Sequence, residues 1–126
     1  MATIKSYTTL EQSKKLAEIL PTESADAFYI VGKKPVDIVP IYGSVTHQHL
    51  IEQMAYKRAI SCWSLAALLE VIPDGLVNRM SGNSHKWEAA SWNGIDFDQI
   101  HSVEGFDNPV DACYELILKL HELNLL

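Results

Sequence analysis

The chain has 126 residues and a mass of 14.1 kDa, with 48% apolar and 21% charged residues, proportions that set it apart from disordered chains and predict one folded domain over residues 1–126. No uninterrupted apolar run exceeds the five residues of Leu65 to Leu69, far short of the roughly 20 residues that cross a bilayer. Met1 to Leu10 carries one lysine and no apolar signal core, so no secretory signal is read there and a cytoplasmic protein is expected.

The formal charge of −6 is unevenly placed. Up to Asn93 nine acids meet nine bases, whereas from Gly94 onward seven acids (Asp96, Asp98, Glu104, Asp107, Asp111, Glu115 and Glu122) face Lys119 alone. Nucleic-acid binding through a basic surface is therefore not expected, because neutralising phosphates is what supplies that affinity. An acidic face suits a basic protein partner, or serves solubility. Cys62 and Cys113 lie outside any metal-spacing motif and within apolar patterns, as buried reduced thiols do.

Thr8 with Glu11, or Thr9 with Gln12, offers a capping box for a first helix, in which Leu10, Leu16, Ala17 and Leu20 form a stripe and which Pro21 ends. Ala27 to Val31 and Val36 to Ile41 read as strands separated by Gly32, Lys33, Lys34 and Pro35, with Pro40 confining the second to an edge. His47 to Ala59 reads as a helix with Leu50, Ile51, Met54 and Ala55 inward, or as a long ordered loop. Ser61 or Ser64 caps a central helix, Trp63 to Ile72, that is apolar nearly all round and stops at Pro73, Asp74 and Gly75.

A polar segment from Asn78 to Ser84 follows, with Ser81 to Ser84 as a mobile tip. Asn93 and Gly94 then signal a two-residue type I′ turn. That register pairs Trp92 with Ile95, Ala90 with Phe97 and Glu88 with Gln99 on one face, and Ser91 with Asp96, Ala89 with Asp98 and Trp87 with Ile100 on the other. Asn108 as N-cap, Pro109 in the first position and Asp111 in the first turn open a last helix. Val110, Cys113, Tyr114, Ile117, Leu120 and His121 face one side of it, and Leu123, Leu125 and Leu126 dock the end. The expected class is α+β: a small antiparallel sheet built on a hairpin from Trp87 to Val103, packed against three to four helices.

Three blocks, "YTTLEQSKKLAEILPTESADAFY", "CWSLAALLEVIP" and "DNPVDACYELILKLHELNLL", occur here in that order. Together the chain resembles a family of small uncharacterised proteins encoded by phages, prophages and mobile elements of Bacteroides-type bacteria. The blocks cover under half of the chain, and the stretch between Gly43 and Ala59 departs from the shorter connection the resemblance leads one to expect. It implies an origin and assigns no activity, cofactor or catalytic residue.

Several constellations bear on chemistry. His47 and His49, with Glu52 beyond them, share a side only on a strand, where they suit a metal-dependent hydrolase; a solvated polar segment is the plainer reading. Cys62 with His101 or His121 has the residue types of a nucleophile and its base, against a structural thiol. Asp96 and Asp98 share a strand face as a negative ridge or a charged hairpin edge, and no calcium-loop pattern surrounds them. Trp87, Trp92 and Phe97 are the best candidates for recognition, against burial in the core. The residues favour a non-enzymatic interaction module that binds a protein, with a homodimer possible. A small metal-dependent hydrolase and an acidic DNA-mimic inhibitor are the alternatives. No catalytic residue, metal ligand set or cofactor is assigned.

Overall fold

A computed structural model of the chain describes residues 5–30, 37–40, 59–92 and 100–126. The described elements are α1 (Leu10–Ala17), a 3-10 turn (Thr22–Ser24), β1 (Ala27–Ile30), β2 (Asp37–Pro40), β3 (Ala59–Cys62), α2 (Leu65–Val71), β4 (Gly75–Met80), β5 (Asn83–Ser91), β6 (His101–Phe106) and α3 (Pro109–Glu122). Three α-helices among the described residues and two small antiparallel sheets make the class α+β. No described helix is long and apolar enough to cross a membrane. The backbone divides into two units, residues 8–64 and residues 5–7 with 65–126.

In the unit of residues 8–64, Thr9 caps α1. Its hydroxyl accepts from the Gln12 N–H at 3.1 Å while Gln12 Oε1 accepts from the Thr9 N–H at 2.9 Å, the reciprocal box in the second of the two expected registers. The sheet order is β2-β1-β3, with Ala27 opposite both Pro40 and Cys62. Among the described residues β2 pairs with β1 alone, so Pro40 lies on an edge strand, where proline is tolerated. β3 corrects the sequence reading twice: Ala59 belongs to a strand, not to a helix ending there, and Ser61 is a buried strand residue rather than a cap. The rest of the His47 to Ala59 stretch lies outside the described residues.

Trp63 follows β3 directly instead of sitting within the central helix, and is fully buried. Its indole N–H donates to Ser24 Oγ at 3.0 Å, and its backbone exchanges bonds with Thr8: the Trp63 N–H reaches Thr8 Oγ1 at 3.2 Å, and the Thr8 N–H reaches the Trp63 carbonyl at 2.9 Å. Tyr29 donates its hydroxyl to the Thr8 carbonyl at 2.6 Å, and Thr8 and Ser13 share a hydroxyl bond at 2.8 Å. The buried hydroxyl of Thr8 is therefore satisfied inside the fold, as a buried polar group requires. Asp26 accepts from both the backbone N–H and the hydroxyl of Ser64.

In the second unit the sheet is a meander of order β4-β5-β6. β4 lies where a polar segment is expected from the sequence, and the supposed mobile tip is a hairpin turn, Ser81 and Gly82 joining Met80 to its partner Asn83. Gly82 takes φ +79°, which favours glycine. β5 and β6 do pair antiparallel, but not in the register an Asn93-Gly94 turn sets. Ser91 faces His101, Ala89 faces Val103 and Trp87 faces Phe106. The Asn93-Gly94 turn itself, with residues 93–99, lies outside the described residues. The register has a physical reason: Ala89 is fully buried, and the local alternative would set the Asp98 carboxylate beside it. Gly105, at φ +89°, is the extra residue of a bulge between Glu104 and Phe106. It shifts the strand's alternation, so Phe106 lies opposite Trp87.

Helix α3 packs against β5 and β6 and, with α2, makes the rest of this core. Asn108 caps it as expected, accepting from the Asp111 N–H at 2.8 Å and donating its amide to the Asp111 carboxylate at 2.7 Å, with Pro109 in the first turn. Val110, Ala112, Cys113, Leu116, Ile117 and Leu120 are buried, a wider stripe than the expected one, and His121 is exposed. α2 is less buried than its apolar sequence predicts: Ala67 and Leu68 face inward while Ala66 and Glu70 are exposed. Leu123, Leu125 and Leu126 do not dock the terminus. They are 48%, 47% and 40% exposed, because Asn124 takes φ +58° and the Leu125 N–H turns back to the Leu120 carbonyl at 2.9 Å, closing the helix.

Candidate functional site

Residues alternate between the two faces of the β4-β5-β6 sheet. One face carries Gly75, Val77, Ala89, Ser91, His101 and Val103, the row whose central members Ala89 and Ser91 are buried. The opposite face carries two rows: Leu76, Ala90 and Ser102, then Asn78, Glu88 and Glu104. Leu76 is 41% exposed, and Asn78, Ser102 and Glu104 are exposed as well. Glu88 on the central strand stands directly opposite Glu104 on β6. Two carboxylates in that position repel each other.

The basic side chains around this face are already engaged. In the unit of residues 5–7 and 65–126, Lys5 pairs with Asp111, and Lys86 pairs with Asp107 at 2.5 Å. Lys119 donates to the Ser102 carbonyl at 2.9 Å, and Arg79 lies 5.3 Å from the centre of the Trp87 ring. Those are all the lysines and arginines of its described residues. Glu88 and Glu104 consequently have no basic partner among the described residues. The face is an open, mildly apolar, negatively charged surface.

The residues singled out from the sequence are placed as follows. Trp87 is half-buried beneath Arg79 and opposite Phe106, and Trp92 is half-buried just past the last residue of β5. Asp96, Phe97 and Asp98 lie outside the described residues, as do His47, His49 and Glu52. Among the described residues no three histidine, cysteine, aspartate or glutamate side chains gather in a metal-holding group. The Glu88–Glu104 pair was not foreseen, since it follows from the β5–β6 register.

Both thiols are buried and unbridged. Burial pushes Cys62 up to about 12, the Asp26 carboxylate adding to it, and burial alone pushes Cys113 up to about 12. Near neutral pH each is a protonated, apolar packing group, and Cys62 lacks the thiolate that nucleophilic work needs. Tyr29 is raised by burial and then by Cys62, and Tyr114 by burial and then by Glu115. No protein-family model matches the chain, and no curated protein or solved structure matches it either.

Proposed function

We propose that the chain is a non-enzymatic protein-interaction module, an accessory protein of phage or prophage origin acting in the cytoplasm, and that the open face of the β4-β5-β6 sheet receives a basic protein partner. The observation that carries this reading is the Glu88–Glu104 opposition on an exposed sheet face, where each base among the described residues of that unit has a contact of its own. Like charges set directly across a ladder cost stability, and a lysine or arginine from a partner removes that cost on binding. Complementary charge of this kind gives specificity and fast association. Burial holds the Cys62 thiol protonated, so Cys62 is not read as a nucleophile. The acidic last quarter favours a protein over a nucleic acid for the same electrostatic reason.

The test is affinity capture from host lysate with the wild-type chain and with a Glu88→Lys, Glu104→Lys double variant of unchanged circular dichroism. The reading expects a defined basic protein bound by the wild type, released by raised salt, and lost in the variant. Equal capture by both proteins overturns it.

A further inference from the structure

We infer that the partner of the open β4-β5-β6 face is an amphipathic α-helix lying along the strands, with apolar side chains seated over Leu76, Ala90 and Ile100 and a lysine or arginine, about two turns on, between Glu88 and Glu104. The inference rests on the reading of this face as a site for a basic protein and adds the shape of that partner. Ile100, one residue before β6, falls on this face by the alternation that puts Ser102 there. The rows along the strands therefore run from Ile100, through Leu76, Ala90 and Ser102, to Asn78, Glu88 and Glu104. An apolar end is followed by an acidic one. Leu76 and Ile100 are each 41% exposed in the folded chain, and neither glutamate has a basic partner among the described residues.

A helix fits this surface because of where the hydrogen bonds lie. The backbone groups of a sheet point toward neighbouring strands and not out of its face, so an extended segment laid on the face finds no ladder partners for its own N–H and C=O groups. A helix satisfies those groups internally and offers only side chains. The opposite face of the same sheet is covered in this way, by α3 packed against β5 and β6.

The spacings agree as well. Successive rows on one face lie two residues apart, about 6.6–6.8 Å along a strand, and side chains at i and i+4 of a helix are separated by a rise of about 6 Å. From Ile100 to Glu104 is two rows, about 13 Å. Positions i and i+7 of a helix differ by about 10.5 Å, and the flexible stem of a lysine or arginine spans the remainder. Apolar residues at i and i+4 with a base at i+7 thus share one helix face and follow Ile100, then Leu76 with Ala90, then the glutamate pair. The base lands between two carboxylates that repel each other, whereas an acid in its place is rejected.

The experiment titrates the isotope-labelled full chain with three synthetic peptides and follows its amide shifts by NMR. The first peptide is an alanine-based helix with leucine at i and i+4 and lysine at i+7. The second has the same composition with the lysine moved to the far side of the helix, and the third is lysine-rich with prolines that prevent a helix. The first is expected to shift the amides of Leu76, Ala90, Ser102, Glu88 and Glu104 and to bind roughly threefold to tenfold more tightly than the second. That preference is expected to vanish in a Glu88→Gln, Glu104→Gln double variant whose folding circular dichroism confirms. Equal binding at this face by the first peptide and either of the others overturns the helix and leaves a basic partner in place. Shifts centred elsewhere, or a preference that survives in the double variant, overturn the inference too. Binding by none of the three overturns it together with the reading on which it rests.

Discussion

Thr8 and Trp63 hold each other through backbone and side chain at once: the Thr8 N–H donates to the Trp63 carbonyl at 2.9 Å, and the Trp63 N–H donates to Thr8 Oγ1 at 3.2 Å. Both residues are fully buried, so the chain entering α1 is tied to the chain leaving β3 without help from water. The same threonine hydroxyl lies 2.8 Å from Ser13 Oγ, and its carbonyl accepts from Tyr29. Thr8→Val keeps the side chain's shape but leaves the Trp63 N–H and the Ser13 hydroxyl unsatisfied, a cost of about 1–3 kcal/mol. Denaturant unfolding measures it, and a change near zero contradicts the tie.

Trp63 itself carries more. Trp63→Ala removes a buried ring and leaves a cavity, with an expected loss of about 3–5 kcal/mol. Trp63→Phe keeps most of the packing and gives up the indole bond to Ser24, for a smaller loss of about 0.5–1.5 kcal/mol. The ordering of the two melting shifts is the check. Equal shifts mean the Ser24 bond, not the ring, dominates.

The cap on α3 was legible because its signal is local: Asn108, Pro109 and Asp111 specify a helix start whatever lies around them. The Thr9 box and the edge position of Pro40 were legible for the same reason. β3 was not, since Ala59, Ile60, Ser61 and Cys62 carry no alternation and become a strand by pairing with β1. β4 reads as polar because Asn78 and Arg79 point outward or lie over a ring, while only Gly75 and Val77 mark the inner row. The β5–β6 register was misread because an Asn-Gly dipeptide is a short-range preference and the burial of Ala89 is a long-range one. The candidate site inherits that limit: Glu88 and Glu104 are separated by 15 intervening residues and meet only in the observed register.

Asn108→Ala is expected to cost about 1 kcal/mol through loss of the bond from the Asp111 N–H. Asn108→Ser keeps an acceptor for that N–H without setting a second carboxylate against Asp111, and should cost less. Thermal melts of the two variants separate a cap from simple burial, because alanine and serine are of similar size and lost burial alone predicts equal losses.

Gly75 and Gly105 are needed for different reasons, and substitution by alanine distinguishes them. At Gly105 a Cβ meets nothing within 4 Å, but φ is +89°, so Gly105→Ala pays in backbone strain, about 1–2 kcal/mol. At Gly75 a Cβ lands 2.8 Å from Ile72 Cβ, an overpacking cost of about 1–3 kcal/mol. Asparagine tolerates a left-handed backbone, so Gly105→Asn should lose less than Gly105→Ala, whereas Gly75→Asn, with its Cβ in the same place, should lose no less than Gly75→Ala. Equal losses for the two substitutions at Gly105, or a smaller loss for asparagine at Gly75, refute the assignment.

The buried thiols make stability fall in alkali. Cys62 and Cys113 have an ordinary value of 9.0, and in the folded chain both stand at about 12. A group whose folded value is raised gives its full stabilisation below the unfolded value. It loses that stabilisation as pH rises toward the folded one, because the unfolded chain releases a proton the folded chain keeps. The window is therefore pH 9 to about 12, and Tyr29 and Tyr114, also raised, act in the same direction. Melting temperature followed through this window should decline, and the slope should be shallower in Cys62→Ala and Cys113→Ala. A slope unchanged by either substitution means that other groups carry the alkaline transition.

Glu104→Lys tests the open face without any partner present. It turns a direct like-charge opposition with Glu88 into an attraction, and cross-strand pairs of this kind differ by about 0.2–1 kcal/mol. The variant is expected to be more stable than the wild type by that order at low salt, with the gain shrinking as salt screens the pair. Glu104→Gln, which removes only the repulsion, should fall between them. Destabilisation by both substitutions would show that Glu104 is held by a favourable contact, and would remove the electrostatic reason for a basic partner at this face.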